Sequence, residues 1–159
     1  RQKKMENQDI RKELIVSAIE NGTVIDHIPA GVVFRVMRIL NLEAAKTQVT
    51  VGFNLESRKY GKKGIIKVSN KFFENKEINK IALVAPTATL IVIKDYKVTE
   101  KRQVALPDEI FGLVKCVNPN CITNHQQVPT RFSVINKEDL KLQCYYCEKI
   151  TAKNNIDII

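Results

Sequence analysis

Four cysteines supply the spacing in this sequence that points most directly to chemistry. Cys116 and Cys121 bracket four residues, twenty-two more follow, and Cys144-Tyr-Tyr-Cys147 closes the set. Two short-spaced pairs separated by a stretch long enough for a hairpin assemble a tetrahedral Zn²⁺ site, because each pair grips two neighbouring corners. The insert Val117-Asn118-Pro119-Asn120 is built of turn formers, which folds the chain back on itself between the first two thiols. With protein sulfur at all four corners no position is left for a reactive water, so the expected role is structural rather than hydrolytic. Disulfide pairing competes only in an oxidising compartment, and nothing at the N-terminus reads as a secretory signal. A redox Cys-x-x-Cys competes only inside a βαβ unit, and none is expected around Cys144 and Cys147. Reduced cysteines and a cytoplasmic location are therefore expected. His125 lies close to Cys121, but a complete four-sulfur shell has no need of it.

Catalytic signals are sparse. The chain has two histidines, no Gly-x-Ser-x-Gly and no phosphate-binding glycine loop ending in Lys-Ser or Lys-Thr, so no enzyme activity is expected. His27 stands beside Asp26 near the end of an early strand, a pattern shared by hydrogen-bonded structural histidines and by ligand sites. Lys67 and Lys101 fall at or near the ends of strands that one sheet can bring close to that corner. Cations there can hold phosphates while the Asp26 carboxylate accepts ribose hydroxyls. Lys59, Lys62 and Lys63 read instead as a solvated hairpin tip.

Charge divides the 159 residues in two. Of 26 lysines and arginines, 20 precede residue 104 against 11 of the 17 acids, an excess of nine; the remainder holds six of each sign. Four thiolates around one Zn²⁺ make the cysteine-bearing part net negative by about two units. Phosphate-backbone binding needs cations on the binding module itself, so a zinc ribbon laid on nucleic acid is the weaker of two readings. A basic first part fits a smaller anionic ligand or a lysine-rich solvated surface. No run of eighteen apolar residues occurs, and no membrane span is expected.

The elements that must position these residues follow from periodicity. Residues 1–12 are polar and read as a frayed arm. Leu14–Ile19 and Thr23–Ile28 read as one kinked strand or two short ones about the Asn21-Gly22 turn. Val32, Val33, Val36, Ile39 and Leu40 mark an amphipathic helix after Pro29. Thr47–Leu55 alternates as a half-buried strand, Arg58–Gly64 is a glycine-punctuated turn, and Ile65–Val68 completes a hairpin. A helix over Lys76–Val84, with Asn75 as N-cap, buries Ile78, Ile81 and Leu83. Ala88–Ile93 is the next strand, and Asp95–Val98 continues beyond a bend. Strand, helix, strand, strand, helix, strand predicts an α+β fold, a ferredoxin-like split βαβ sandwich with both helices on one face of an antiparallel sheet. The first and last strands should then lie centrally or adjacent. Lys101–Asp108 loses periodicity and reads as the linker, giving domains 1–103 and 104–159, the second a small all-β zinc-ribbon or rubredoxin-like domain. Its strands are expected over Arg131–Ile135, Leu140–Leu142 and Ile150–Ala152.

Gly22-Thr-Val-Ile-Asp-His-Ile-Pro29, Thr50-Val-Gly-Phe-Asn-Leu55, Ala82-Leu-Val-Ala-Pro86 and the cysteine framework with Asn118 and Asn120 in its first loop together resemble the regulatory chain of aspartate carbamoyltransferase. The likeness runs from about Leu14 to Lys153. It implies a non-catalytic subunit controlling the first committed step of pyrimidine biosynthesis. Its N-terminal domain would bind the effectors CTP, UTP and ATP and pair into dimers, and its zinc domain would dock on catalytic chains, two trimers being joined by three regulatory dimers. Carried over by position, the nucleotide site comprises Val16, Ser17, Ala18 and Ile19 near the base, then Val24, Asp26, His27, Ile65, Lys67, Ile93, Tyr96, Val98 and Lys101. The resemblance implies that Asp26 takes ribose hydroxyls, with Lys101 and His27 facing phosphates. Ser17 stands where an acid is common and Ile91 where an amide is common. Asn118, Asn120, Glu148 and Lys149 match positions facing the catalytic chain, and Tyr145 replaces a basic residue there. The readings that compete are a nucleic-acid-binding zinc-ribbon protein and a free-standing nucleotide sensor.

Overall fold

The structure, a computed structural model, describes residues 19–159. Leu14–Ala18 of the expected first strand and the arm over residues 1–12 lie outside them. Contacts divide the chain into two compact units at Val104/Ala105. Among the described residues no helix is long and apolar enough to cross a membrane.

In the first unit, β1 (Gly22–Pro29) leads through a 3₁₀ turn into α1 (Val33–Ile39), then β2 (Val49–Ser57), β3 (Gly61–Ser69), α2 (Asn75–Val84), β4 (Thr89–Lys94) and β5 (Lys97–Gln103). The sheet order is β2-β3-β1-β4-β5, antiparallel throughout. The first four strands in that order form the split βαβ arrangement, with β1 central and β4 beside it. The fold is α+β, as the element order predicts.

Three local expectations are corrected. The stretch expected to bend and then unwind into a linker forms β5, joined to β4 by the two-residue turn Asp95-Tyr96, whose φ values of 51° and 64° are those of a tight hairpin. Lys101–Gln103 therefore belong to the sheet. The hairpin expected to open at Ile65 is paired from Ser57↔Gly61 onward, so Lys62 and Lys63 are strand residues. Helix α2 begins one residue early: Glu74 is its N-cap, and the Glu74 backbone N–H donates to Glu77 Oε1 at 3.3 Å in a capping-box arrangement.

One face of the sheet carries Ile25, Ile28, Ile66, Val68 and Leu90, all buried. Helix α1 lies on this face and α2 packs beside α1, burying Val33 and Val36 from one and Ile78, Ile81, Ala82, Leu83 and Val84 from the other. Closeness is set at Gly64, where an added Cβ would overlap the Val33 Cγ2 methyl and approach Gly52 O at 3.3 Å. Gly64→Ala should consequently push α1 off the sheet and cost about 1–3 kcal/mol, as overpacking of a close-packed core does. Chemical denaturation of the two proteins side by side measures it.

The second unit contains β6 (Glu109–Phe111), β7 (Val114–Lys115), β8 (Arg131–Asn136), β9 (Lys141–Cys144), β10 (Ile150–Ala152) and β11 (Asp157–Ile158). A four-stranded antiparallel sheet runs β10-β9-β8-β6, and β7 pairs with β11. Ile110, Phe132, Leu142 and Cys144 face inward and are buried. The unit is all-β with its four cysteines clustered, again as expected.

Candidate functional site

The cysteines converge from two loops. The first is an Asx turn: Asn118 Oδ1 accepts from Asn120 N–H at 3.0 Å, and Asn118 C=O accepts from Cys121 N–H at 3.0 Å. Asn124 Nδ2 braces the loop by donating to the carbonyls of Cys116 at 3.0 Å and Asn118 at 2.7 Å. The second loop closes with Glu148 in the left-handed region at φ 63°, its N–H donating to Cys144 C=O and Cys144 N–H donating to Lys149 C=O. Both loops are therefore held in their turns by local backbone and asparagine hydrogen bonds.

All four Sγ atoms lie within 4.8 Å of one another, with Cys116 to Cys147 at 3.6 Å and Cys121 to Cys144 at 3.8 Å. Sulfurs about 2.3 Å from one ion at the corners of a tetrahedron are about 3.8 Å apart, so the donor set fits a four-coordinate thiophilic metal. The thiols are free, which excludes the disulfide alternative. Thr123 Oγ1 donates to Cys121 Sγ at 3.3 Å, a second-layer contact suited to a thiolate. Burial pushes the Cys116 thiol up to about 12 and raises Cys144 as well. At half-exposed Cys147 the upward push of burial is outweighed by hydrogen bonds from the Lys149 backbone and the Asn118 side chain, bringing it to about 7. A buried set of thiols like this gives up its protons to a cation, so metal is retained less well as pH falls. His125 is exposed and stands outside the cluster.

The face of the first sheet away from α1 carries the other candidate site. Strand pairing places Thr50, Lys67, Val24, Ile91 and Lys101 in one row across all five strands. Because directly paired residues share a face, Lys67 and Lys101 stand on the same surface with Val24 and Ile91 between them. Alternation adds Asp26, Ile65 and Ile93 to that surface, and a register shift in β5 brings Val98, paired with Ile93, to it as well. Ile19, Val24, Ile65, Ile91 and Ile93 form a buried apolar cluster there. Tyr96 lies at one end, in the β4–β5 turn, its N–H donating to Glu20 C=O at 2.9 Å.

The other end is a polar corner. Strand β1 slips register between Ile25 and Ile28, and His27 enters the left-handed region at φ 56°, a conformation histidine tolerates better than branched residues do. The step turns His27 toward the Asp26 side, with Nδ1 3.1 Å from Thr89 Oγ1 and 3.9 Å from Asp26 Oδ2. Asp26 Oδ1 accepts from His27 N–H at 2.7 Å and from Lys63 Nζ at 2.8 Å. Burial lowers the Lys67 pKa, opposed in part by the Asp26 charge. A cleft of about 720 Å³ opens here, lined by Asp26, His27, Lys63 and Lys101 together with Arg58 and Lys59 of the β2–β3 turn.

Of the positions the resemblance assigned to nucleotide, Ile19, Val24, Asp26, Ile65, Lys67, Ile93, Val98 and Lys101 share this face, with His27 and Tyr96 at its two ends. Val16, Ser17 and Ala18 lie outside the described residues. Sequence reading missed Lys63, whose ammonium is the direct partner of Asp26, and Tyr60, whose ring meets His27 edge-on at 5.9 Å. Extending the β3 alternation back from Lys67 through Ile65 would have put Lys63 on the site face. Asn118, Asn120, Glu148 and Lys149 sit on the two metal loops, the last three exposed.

Two family models match. Residues 14–105 match the aspartate carbamoyltransferase regulatory chain, allosteric domain, and residues 108–157 its metal binding domain. An aspartate carbamoyltransferase regulatory chain of Bacteroides thetaiotaomicron is 50% identical over 149 residues, covering 94% of this chain and 97% of that one. Those of Thermococcus sibiricus and Pyrococcus furiosus are 53% and 52% identical, each match covering 91% of this chain and 96% of the relative.

Proposed function

The chain belongs to the family of aspartate carbamoyltransferase regulatory chains, and from that premise we propose that it is an effector-sensing subunit with a division of labour between its two units. The first unit binds CTP, UTP and ATP on the sheet face opposite α1 and pairs with a second copy. The second holds one Zn²⁺ through Cys116, Cys121, Cys144 and Cys147 and docks on catalytic chains, so that three regulatory dimers join two catalytic trimers. Control of the first committed step of pyrimidine biosynthesis follows from that assembly.

The observation that carries the effector reading is the row Lys67–Val24–Ile91–Lys101, with the Asp26–His27 corner beside it. An apolar cluster flanked by cations suits a molecule with a flat base at one end and phosphates at the other. Ile19, Ile93, Tyr96 and Val98, with Val16, Ser17 and Ala18, take the base. Asp26, fixed by Lys63, accepts from ribose hydroxyls. Lys101 and His27 face the phosphates. Zn²⁺, when bound, neutralises thiolate charge and pins the Cys116–Cys121 loop to the Cys144–Cys147 loop, which carry Asn118, Asn120, Glu148 and Lys149 toward the catalytic chain. Regulation requires each effector to bind one quaternary state more tightly than the other, a coupling typically of about 1–3 kcal/mol.

The test uses the full chain. Calorimetric titration with CTP, UTP and ATP should show saturable binding, elemental analysis should find one zinc per chain, and mixing with catalytic trimers should give a larger complex in sedimentation. A zinc-loaded chain that binds none of the three nucleotides, or forms no complex with the trimers, overturns the proposal.

A further inference from the structure

The polar corner of the first sheet has a further wall that the positions assigned by resemblance do not include. Strand β2 slips register between Gly52 and Leu55, with Asn54 in the left-handed region at φ 57°, and the slip returns Leu55 to the site face opposite Lys63. The β2–β3 hairpin then runs on past the last β1 partner, Pro29↔Lys63, and its turn brings Arg58 and Lys59 to the end of the cleft. The turn is tied down locally. Tyr60 N–H donates to Ser57 Oγ at 3.2 Å, Lys62 N–H donates to Tyr60 C=O at 3.0 Å, and Gly61 takes φ 75°. Lys59 Nζ stands 5.4 Å from the centroid of the Tyr60 ring, which meets the His27 ring edge-on at 5.9 Å. Lys59, Tyr60 and His27 thus form a stack that joins the turn to the corner.

The charges of this wall are sorted by face. Lys62 alternates to the side away from Lys63 and meets Glu56 at 3.8 Å, while Lys63 is held by Asp26 at 2.8 Å. Both acids that line the cleft are therefore matched by lysines. Arg58, Lys59 and Lys101 line the same cleft, and none of the three has a carboxylate partner among the described residues. An anion is the ligand such a set fits. Its direction follows from the sheet. A nucleotide with its base toward Tyr96 and its ribose at Asp26 sends its phosphates along the strands toward the β2–β3 turn, and the outermost phosphate travels furthest. That outermost group also carries the most charge, about two negative units at neutral pH. The sequence reads Lys59 as part of a solvated hairpin tip; the stack on Tyr60 and His27 instead holds its ammonium beside the phosphate corner.

We propose that Lys59 and Arg58 read the phosphate count of the effector: they take the outermost phosphate of a nucleoside triphosphate while Lys101 and His27 take the inner ones, so the site selects triphosphates over mono- and diphosphates. The inference rests on the nucleotide reading above and adds two specificity-determining residues to it. Arg58 can present a fork of N–H groups to one phosphate, and Lys59 a compact point charge. A monophosphate ends short of the turn and leaves both cations in water, where salt screens them from it.

The experiment titrates the zinc-loaded full chain with CMP, CDP and CTP at one ionic strength, by calorimetry, for wild type, Lys59→Gln, Arg58→Gln, their double variant and Lys62→Gln. What is read is the ratio of the CMP and CTP dissociation constants. The ratio should fall roughly five- to tenfold in each single variant at Lys59 or Arg58 and roughly thirtyfold or more in the double, the worth of charge-assisted hydrogen bonds at an exposed site. CMP binding should stay at the wild-type value, and CDP should fall between. Lys62→Gln removes the same charge from the opposite face and should leave the ratio unchanged. A double variant with the wild-type ratio overturns the proposal. So does a Lys62→Gln ratio that falls as far as that of Lys59→Gln, because net charge rather than contact would then be at work. Wild type that binds CMP and CTP equally overturns the phosphate count alone, whereas wild type that binds none of the three overturns the nucleotide reading beneath it.

Discussion

Cys144→Ser is expected to abolish assembly with catalytic trimers while leaving nucleotide binding by residues 14–101 close to wild type. Cys144 is buried at the junction of β9 and the second metal loop, so the substitution removes one of four ligands and leaves a neutral hydroxyl that a thiophilic ion does not favour. A unit of some fifty residues buries too little apolar surface to fold unaided. Structural Zn²⁺ contributes about 10–16 kcal/mol in comparable small domains at neutral pH, against a net stability of about 5–15 kcal/mol for a whole domain. Loss of the ion thus unfolds the second unit. The first unit has its own five-stranded sheet and helices, and its site face draws on none of the cysteines. Zinc content, sedimentation with trimers and nucleotide titration on the same sample check all three statements. Equal loss of nucleotide binding and assembly would overturn the division of labour.

Lys67→Met should move stability and affinity in opposite directions. The Lys67 side chain is largely buried beside the apolar cluster, and burial lowers its pKa against the partial help of Asp26. An unfolded chain therefore binds more protons than the folded one over a window below 10.5. Stability due to this group rises with pH through that window and is smallest at lower pH, where the charge is kept at a cost. Replacing the buried cation with an apolar side chain of similar length should stabilise the ligand-free protein by on the order of 1 kcal/mol at neutral pH, and should flatten the rise between neutral and alkaline pH. Nucleotide affinity should fall roughly 10- to 100-fold, the worth of one charge-assisted hydrogen bond to a ligand. Urea unfolding at several pH values and calorimetric titration measure the two effects. A variant both less stable and unimpaired in binding would show that Lys67 serves the fold rather than the ligand.

The metal centre was legible in the sequence because its information is local: two short spacings and a turn-rich insert name the four ligands without any knowledge of the sheet. The order of elements was legible for the same reason, since Val32–Leu40 and Thr47–Leu55 keep their periods. Register was not. Lys67 and Lys101 are thirty-four positions apart, and only the pairing of β3 with β1, β1 with β4 and β4 with β5 shows that they share a row. Strand β5, Lys-Val-Thr-Glu-Lys-Arg-Gln, is exposed along its whole length, so an edge strand with no buried face left no alternation to read. Its turn, Asp95-Tyr96, lacks the glycine that usually marks a two-residue hairpin. Lys63 was hidden by Gly61 and Gly64, which read as turn punctuation although Gly64 is there to admit Val33. The packing of Arg131 against Phe111 and Tyr145 was invisible for another reason: the three residues belong to separate segments whose adjacency only the folded sheet creates.

Neighbouring strands are about 4.8 Å apart, so three steps across the sheet separate the stations of Lys67 and Lys101 by about 14 Å. Two ammonium groups rooted that far apart act as the jaws of a fixed gauge. On the proposed nucleotide reading, inorganic phosphate or a free base should reach one jaw only, whereas a molecule of nucleotide length should span both, because the paired strands keep the two stations at that separation.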